Sequence, residues 1–468
     1  MAGRMKLHFF GANRTTTGSK HLLEVKGQRV LIECGMFQGR RSKTIEYNSQ
    51  LPFAATGITT VLLSHAHIDH SGLLPVLCQQ GYAGKIHATA ATTDLCQYML
   101  LDSAHIQEQD AAFLNQKLAR KGLPLVKPLY TQADATKALE QFAPVSYDQP
   151  VRIADGVTVT WLDAGHILGS AMLVLDLEEN GRRVRLAFSG DIGRGNNNML
   201  RDPAHPRDVD YLLMESTYGN RAHESLDDVD ERVCAMINRA VADNGKIIIP
   251  AFAVDRTQQL LFTLFRLMQT RCLPALPIYV DSPLSRNATD VFRRHPECFN
   301  KHFHDVMMSP ENPFANANIT FTGSVEESKQ LNDLTGPCII ISASGMAEAG
   351  RIRHHIKNNI TDKRNLILMV GWCAPHTLGS HLATGHKEVN IFGEPYQVKA
   401  RIETINAYSG HADQHELRSW AGQVTGSVRG IFLVHGELEA AEALAGSLRE
   451  LHPRAEISVP EFGSSAEL

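Results

Sequence analysis

The sequence has no apolar run approaching the ~20 residues of a membrane span, so no membrane association is expected. Its opening residues, Met1-Ala2-Gly3-Arg4-Met5-Lys6-Leu7-His8, lack the apolar stretch and cleavage site of a signal peptide. No C-x-x-C pair occurs, and the eight cysteines are scattered at 34, 78, 96, 234, 272, 298, 338 and 373. These absences predict a cytoplasmic chain whose cysteines are small core residues rather than a disulfide frame. Internal repeats and low-complexity tracts are missing as well. Nor is there a surplus of positive charge: 46 Lys and Arg stand against 50 Asp and Glu, a net of −4. That argues against duplex binding through phosphate neutralisation alone, and leaves a local basic groove or a metal site to receive phosphate.

What remains is the composition of a globular protein, 43% hydrophobic and 21% charged. At 468 residues, two or three domains are expected. The 22 histidines are a generous number, and many fall at the ends of apolar runs.

The densest chemistry follows Val61-Leu62-Leu63, which reads as a buried strand. Within six positions come His65, His67, Asp69 and His70, and then the apolar start of a helix at Leu73. Residues two apart on a strand share a face, so His65 and His67 can point at one spot. The turn after them can bring Asp69 and His70 to a second spot beside it. Zn²⁺ takes imidazole nitrogens and carboxylate oxygens, and two ions a few ångströms apart need about this density of ligands. The bland alternative is a set of solvated loop histidines, which requires four ligand-type residues to gather at one strand end by chance.

Upstream, residues 5–35 alternate apolar and polar with glycine punctuation, predicting three short antiparallel strands that end near Glu33. Downstream, a long helix is expected from Ala90 to about Lys121, with His105 on its surface or at a pocket rim. Further strands end in His166, in Asp191 and in Glu215. Each of these is weak taken singly, since a histidine at a strand end is usually a satisfied polar residue. From about residue 220 the chain alternates continuous apolar strands with helices, as in a parallel sheet covered on both faces. The last part returns to strands, passes Ser409-Gly410-His411-Ala412-Asp413, and ends a buried strand in Val434-His435-Gly436-Glu437.

In this order the motifs His65-x-His67-x-Asp69-His70, His166, Asp191, Glu215, His411 and His435 resemble those of the β-CASP group of metallo-β-lactamase-fold nucleases, over nearly the full chain. The phrases Pro250-Ala251-Phe252-Ala253-Val254, Asp281-Ser282-Pro283 and Ser344-Gly345-Met346 are similar to those of that group's inserted domain. The resemblance implies an αββα sandwich in two parts, residues 1–219 and 385–468, interrupted by a parallel-sheet α/β (β-CASP) domain at 220–384. It implies two zinc ions per chain, one held by His65, His67, His166 and Asp191, the other by Asp69, His70, Asp191 and His435. Water between two such ions yields hydroxide near neutral pH for in-line attack on phosphorus. Asp69, His411 and Glu215 are the expected catalytic residues. His411 would be the general acid and Glu215 the group that holds its imidazole; a further metal ligand or a plain structural histidine is the alternative for His411.

Substrate contacts are expected from Ser344, Gly345, Met346, Arg351, His354 and His355, where backbone N–H groups at a helix start can cradle a phosphate. A turn that simply needs Gly345, and a solvated helix face for Arg351 and Arg353, are the alternatives. The sequence departs from the family pattern at Glu33, where aspartate is usual, and at Asp255 and His376, where glycine is usual. The implied function is zinc-dependent hydrolysis of single-stranded RNA, as an endo- or exonuclease and with a homodimer possible. DNA, or a small ester or thioester, is the alternative substrate class. A catalytically dead scaffold is disfavoured because all seven ligand positions are filled.

Overall fold

The structure is a computed structural model that describes residues 5–39, 41–195, 197–225, 228–374 and 376–468. The chain divides into two compact units, residues 1–222 with 411–468, and residues 223–410.

In the first unit two seven-stranded sheets pack face to face. The expected meander is present: Lys6–Phe9, His21–Val25 and Gln28–Ile32 pair antiparallel, and Thr60–Leu62, Ile86–Thr89 and Phe142–Val145 extend the sheet in parallel. Alternation along the strands decides what meets between the sheets. Leu7, Phe9, Leu23, Val25, Val30, Ile32 and Leu62 point inward to meet Val159, Trp161, Leu173, Leu175, Leu186, Phe188 and Leu213. The outer face of the second sheet, through Met172, Ala187, Leu212, Met214, Ile431 and Leu433, is covered by the helices Gln414–Gln423 and Leu438–Leu451. Against the first sheet lies the long helix Ala90–Arg120, capped by the Thr89 hydroxyl, which accepts from the Thr92 N–H. Strands Arg182–Phe188, Tyr211–Glu215 and Gly430–Val434 run parallel, so their carboxyl ends share one edge of the sheet.

The second unit is built on six parallel strands in the order Ile319–Phe321, Ile278–Val280, Ile339–Ser342, Ile247–Pro250, Leu366–Val370, Arg401–Ile405. Runs such as Ile247-Ile248-Ile249 and Ile339-Ile340-Ile341 are fully buried, as a sheet covered on both faces demands.

Two expectations are corrected here. The expected second boundary is 384/385, but Arg401–Ile405 adds to the parallel sheet beside Leu366–Val370, and the division falls at 410/411. An apolar strand is not by itself a sign of which sheet it joins. The cysteines are also not all free: Cys234 and Cys272, with Cα atoms 6.0 Å apart, form a disulfide from the helix Val229–Ala242 to the turn after Arg256–Gln269. Among the described residues, no helix is long and apolar enough to cross a membrane.

Candidate active site

The strand Thr60–Leu62 stops short of the histidines, so His65 and His67 lie in the loop beyond it and not on the strand itself. Convergence of the two rings comes from the loop: His65 Nε2 and His67 Nδ1 are 3.1 Å apart. His67 is the N-cap of the short helix Ile68–Ser71, which turns Asp69 and His70 toward a neighbouring point. His166 sits in the turn after Val157–Asp163, where the Ser170 hydroxyl accepts from the His166 and Ile167 N–H groups. Glu215 ends, and Asp191 and His435 follow, the three parallel strands described above.

Four overlapping groups of donor atoms result: His65, His67, His166 and Asp191; Asp69, His70 and His435; Glu33, His65 and His70; and Asp191, Glu215 and His411. The first two are the sets expected to hold the two ions. Asp191 Oδ2 stands 3.4, 3.5 and 3.3 Å from Nε2 of His65, His166 and His70, and its Oδ1 is 3.4 Å from His435 Nδ1. His70 Nε2 and His435 Nε2 are 3.1 Å apart, and Asp69 Oδ2 is 3.3 Å from His435 Nε2. Ligand atoms at ~2.0–2.1 Å from a tetrahedral zinc are separated by roughly 3.3 Å, so these spacings fit a metal.

Protonation fits for His65, His67 and the two carboxylates, and not for His70. Burial holds the His65 imidazole well below its ordinary range and lowers His67 to about 4, so both rings are neutral. Burial opposes ionisation of Asp69 and Asp191, but the surrounding histidines outweigh it, bringing Asp69 to about 2 and Asp191 well below the usual carboxylate range. Ionised carboxylates and the neutral His65 and His67 imidazoles suit a divalent ion. At His70 burial is outweighed by Asp191, Asp69 and Glu33, which hold the imidazole well above its ordinary range, so an ion bound there must displace its proton. Asp191 Oδ1 is buried and accepts no hydrogen bond among the described residues, an unmet acceptor that a cation would satisfy.

The ligands are aimed by their own partners. Glu33, fully buried, accepts from His70 Nδ1 at 2.5 Å and from the Ser64 N–H at 2.6 Å, so Nε2 of His70 faces the site. The Ser64 hydroxyl contacts His65 Nδ1 at 2.9 Å, and the Thr217 hydroxyl contacts His435 Nδ1 at 3.1 Å. Sequence reasoning missed Ser64 and Thr217. Adjacency to His65 was a signal for the first, whereas Thr217 meets a histidine 218 positions away. Partners of this kind typically contribute 10–100-fold in metal affinity. Glu33→Gln is therefore expected to weaken binding of one metal equivalent by about that factor, read by competition with a chelator.

His411 is not in either expected ligand set, though it forms a donor group with Asp191 and Glu215. Its Nδ1 is 3.3 Å from Glu215 Oε1, which also accepts the Ile192 N–H at 2.6 Å. Burial alone would lower this imidazole; Glu215 and Asp191 outweigh that and lift it to about 9. The loop is fixed by the helix that follows, where Asp413 accepts from the His415 and Glu416 N–H groups and Glu416 reaches back to the Asp413 N–H.

Comparison with known proteins follows this geometry. A metallo-beta-lactamase superfamily domain matches residues 22–184, a Beta-Casp domain residues 257–382, and a Zn-dependent metallo-hydrolase RNA specificity domain residues 395–460. Ribonuclease TTHA0252 of Thermus thermophilus is 34% identical over 461 residues, 98% of this chain and 99% of that protein. The chain belongs to the β-CASP family of metallo-β-lactamase-fold nucleases. As a β-CASP protein it is a metal-dependent hydrolase. Transcription termination factors FttA of Methanosarcina mazei and Methanocaldococcus jannaschii are each 28% identical over 91% and 96% of the chain, which spans 66% and 69% of their lengths. A protein of unknown function from Enterococcus faecalis shares the fold, with a TM-score of 0.56 at 12% identity over 100% of both chains.

The expected substrate contacts all lie in the second unit, and some are corrected by what they touch. His355 is buried, with Nε2 2.6 Å from Asp281 Oδ2, so it has no surface to offer a substrate. Arg351 is turned onto the same carboxylate at 2.6 Å. Asp281 also accepts from Ser328 and Thr322, which makes this a buried structural knot. Ser344-Gly345-Met346 does not open a helix, because Ile352–Asn359 begins six residues after Met346; the Met346 carbonyl instead accepts from the Gly379 N–H. His354 packs at a tilt against Phe392 with ring centroids 4.5 Å apart.

At Asp255 and His376, where glycine is usual, φ is +66° and +68°, the left-handed region that glycine occupies without strain; Glu33, where aspartate is usual, is at +66°. Asp255 also buries a carboxyl that burial pushes up to about 6, against the opposing pull of Arg256, and its Oδ1 accepts no hydrogen bond among the described residues. Asp255→Gly is expected to raise stability by about 1 kcal/mol at neutral pH, measured by denaturant unfolding. The sign with pH follows from the raised value. Between about pH 4 and 6 the native carboxyl keeps a proton that the unfolded chain has lost, so stability falls as pH rises through that window. The gain from Asp255→Gly should accordingly be larger at pH 7 than at pH 4.

Proposed function

We propose that this protein is a cytoplasmic ribonuclease that holds two zinc ions and hydrolyses phosphodiester bonds of single-stranded RNA. The observation that carries the reading is the pair of donor groups joined by Asp191, with an imidazole outside them, His411, held by a buried carboxylate. The name of the Thermus relative and the RNA specificity match at 395–460 support RNA over other esters.

His65, His67, His166 and Asp191 would hold one ion, and Asp69, His70, Asp191 and His435 the other. Two ions in those places supply Lewis acidity at a phosphoryl oxygen and a nucleophile from water at neutral pH. The protein's own residues do the rest. Glu33, Ser64 and Thr217 aim the ligand rings. Glu215 holds the His411 Nδ1 proton, leaving Nε2 to protonate the departing ribose oxygen, without which that alkoxide is a poor leaving group. A homodimer is part of the proposal, tested by sedimentation.

The deciding experiment incubates metal-analysed protein with labelled single-stranded RNA and DNA of one sequence. Cleavage of RNA with about two zinc ions per chain is the expected result. Preference for DNA, or hydrolysis of neither, would overturn the substrate assignment.

A further inference from the structure

The second half of the long helix Ala90–Arg120 forms an arm. Ala104 and Tyr130 are buried, and the Tyr130 hydroxyl donates to Ser103 at 2.8 Å, yet between those two residues Ala111 alone is buried. From Ala104 to Arg120 the helix runs ~24 Å. The chain then returns along it to Tyr130. It is tied midway, where the Asn115 side chain donates to the Val126 carbonyl at 2.9 Å and accepts the Val126 N–H at 2.8 Å.

Exposed apolar surface is concentrated on this arm. Of the fifteen large hydrophobic side chains exposed among the described residues, five lie here: Ile106, Phe113, Leu123, Leu125 and Val126. Phe113 and Leu125 are 61% and 63% exposed. Ile106 and Phe113, seven positions apart, share one helix face. Such a concentration on a short segment marks an interaction surface. Four of the five are aliphatic and offer no π-face on which a base could stack, so the surface suits a protein and not RNA.

Charge indicates which protein. Asp110, Phe113 and Lys117 follow one another at helical spacing on the Ile106 face, and all three are exposed. The Lys117 ammonium lies over the Phe113 ring, 4.3 Å from its centroid, and neither Asp110 nor Lys117 has an ion-pair partner among the described residues. The acids Glu108 and Asp110 precede Phe113; the cations Lys117, Arg120, Lys121 and Lys127 follow it, with no acid between Asp110 and Asp134. A surface acidic on one side of an apolar centre and basic on the other complements itself about a two-fold axis. With two arms antiparallel and the axis at Phe113, the phenyl rings meet, and Asp110 of each copy faces Lys117 of the other.

We propose that the arm, residues 105–129, is the surface through which two copies of this chain associate, pairing antiparallel about a two-fold axis at Phe113. This rests on the homodimer in the functional reading above and names its face; the RNA chemistry does not enter. Apolar contact at the centre supplies the attraction, and the flanking opposite charges fix the antiparallel register and disfavour the parallel one, in which like charges meet.

The test is sedimentation velocity, over a dilution series, on full-length, metal-loaded parent, Asp110→Lys, Lys117→Asp and an equimolar mixture of the two variants. The parent should sediment as a dimer. Each reversal puts like charges opposite each other at two places, so each variant alone should dissociate at least about tenfold more readily. In the mixture every reversed residue meets its opposite, and the dimer should return. Cleavage of a short RNA by each variant, expected at the parent rate, shows that the variants are folded. A monomeric parent would overturn the homodimer and the arm together. A dimer that neither reversal disturbs would overturn the arm alone, and folded variants that stay monomeric when mixed would overturn the antiparallel pairing. A parent that cuts no RNA yet dimerises through the arm would overturn the ribonuclease reading and leave this surface standing.

Discussion

Asp191→Ala should strip both metal equivalents and lower RNA cleavage by at least about 10³-fold, since the ions' charge stabilisation in the transition state amounts to several kcal/mol. The reason is geometric. Asp191 is the residue whose two oxygens face both donor groups, Oδ2 toward His65, His166 and His70 and Oδ1 toward His435. Elemental analysis after dialysis, with kcat/KM on a labelled RNA, reads the result. Retention of one full zinc equivalent would mean that Asp191 belongs to a single ion. Asp191→Asn is the companion variant, because it keeps the shape while removing the charge that balances a ring of imidazoles. If its metal loss matches that of alanine, charge and not packing holds the ions.

The contrast between residues explains how far sequence could go. A metal site is written locally where the chain must cluster ligands, and His65-x-His67-x-Asp69-His70 shows that on inspection. His166, Asp191, Glu215 and His435 are weak signals singly and were legible through the family resemblance; the parallel trio of strands brings Asp191, Glu215 and His435 to one edge, and His166 comes from the turn after Val157–Asp163. The alternation of apolar strands with helices after residue 220 was equally readable, because burial on both faces demands continuous apolar runs. What escaped depends on partners distant in sequence. Thr217 supports His435 across 218 positions, and Arg401–Ile405 could have joined either sheet on composition alone. His355 looked like a substrate contact because charge in a loop-to-helix region invites that reading; its burial against Asp281 is a tertiary fact. The disulfide was hidden for the same reason, since Cys234 and Cys272 are 38 residues apart without a spacing motif.

His411→Ala should keep both metal equivalents and bind RNA, yet cleave it about 10²–10⁴-fold more slowly, the usual contribution of a general acid. Separation from metal binding is the point of the variant. His411 is not among the seven expected ligand residues, though it shares a donor group with Asp191 and Glu215, and its Nδ1 is held by Glu215, so Nε2 is the atom left to transfer a proton. Glu215→Gln should reproduce part of the defect, because it leaves the imidazole in place but removes the carboxylate that favours its protonated form. A substrate with a leaving group that departs without a proton, such as a nitrophenyl phosphodiester, bypasses the step. On it the His411→Ala loss should shrink toward unity while the Asp191→Ala loss remains. Should His411→Ala surrender a zinc equivalent, the residue is a ligand. Should it lose equally on RNA and the activated ester, proton donation to the leaving oxygen is not its role, and Glu215 is instead fixing the loop through the Ile192 N–H.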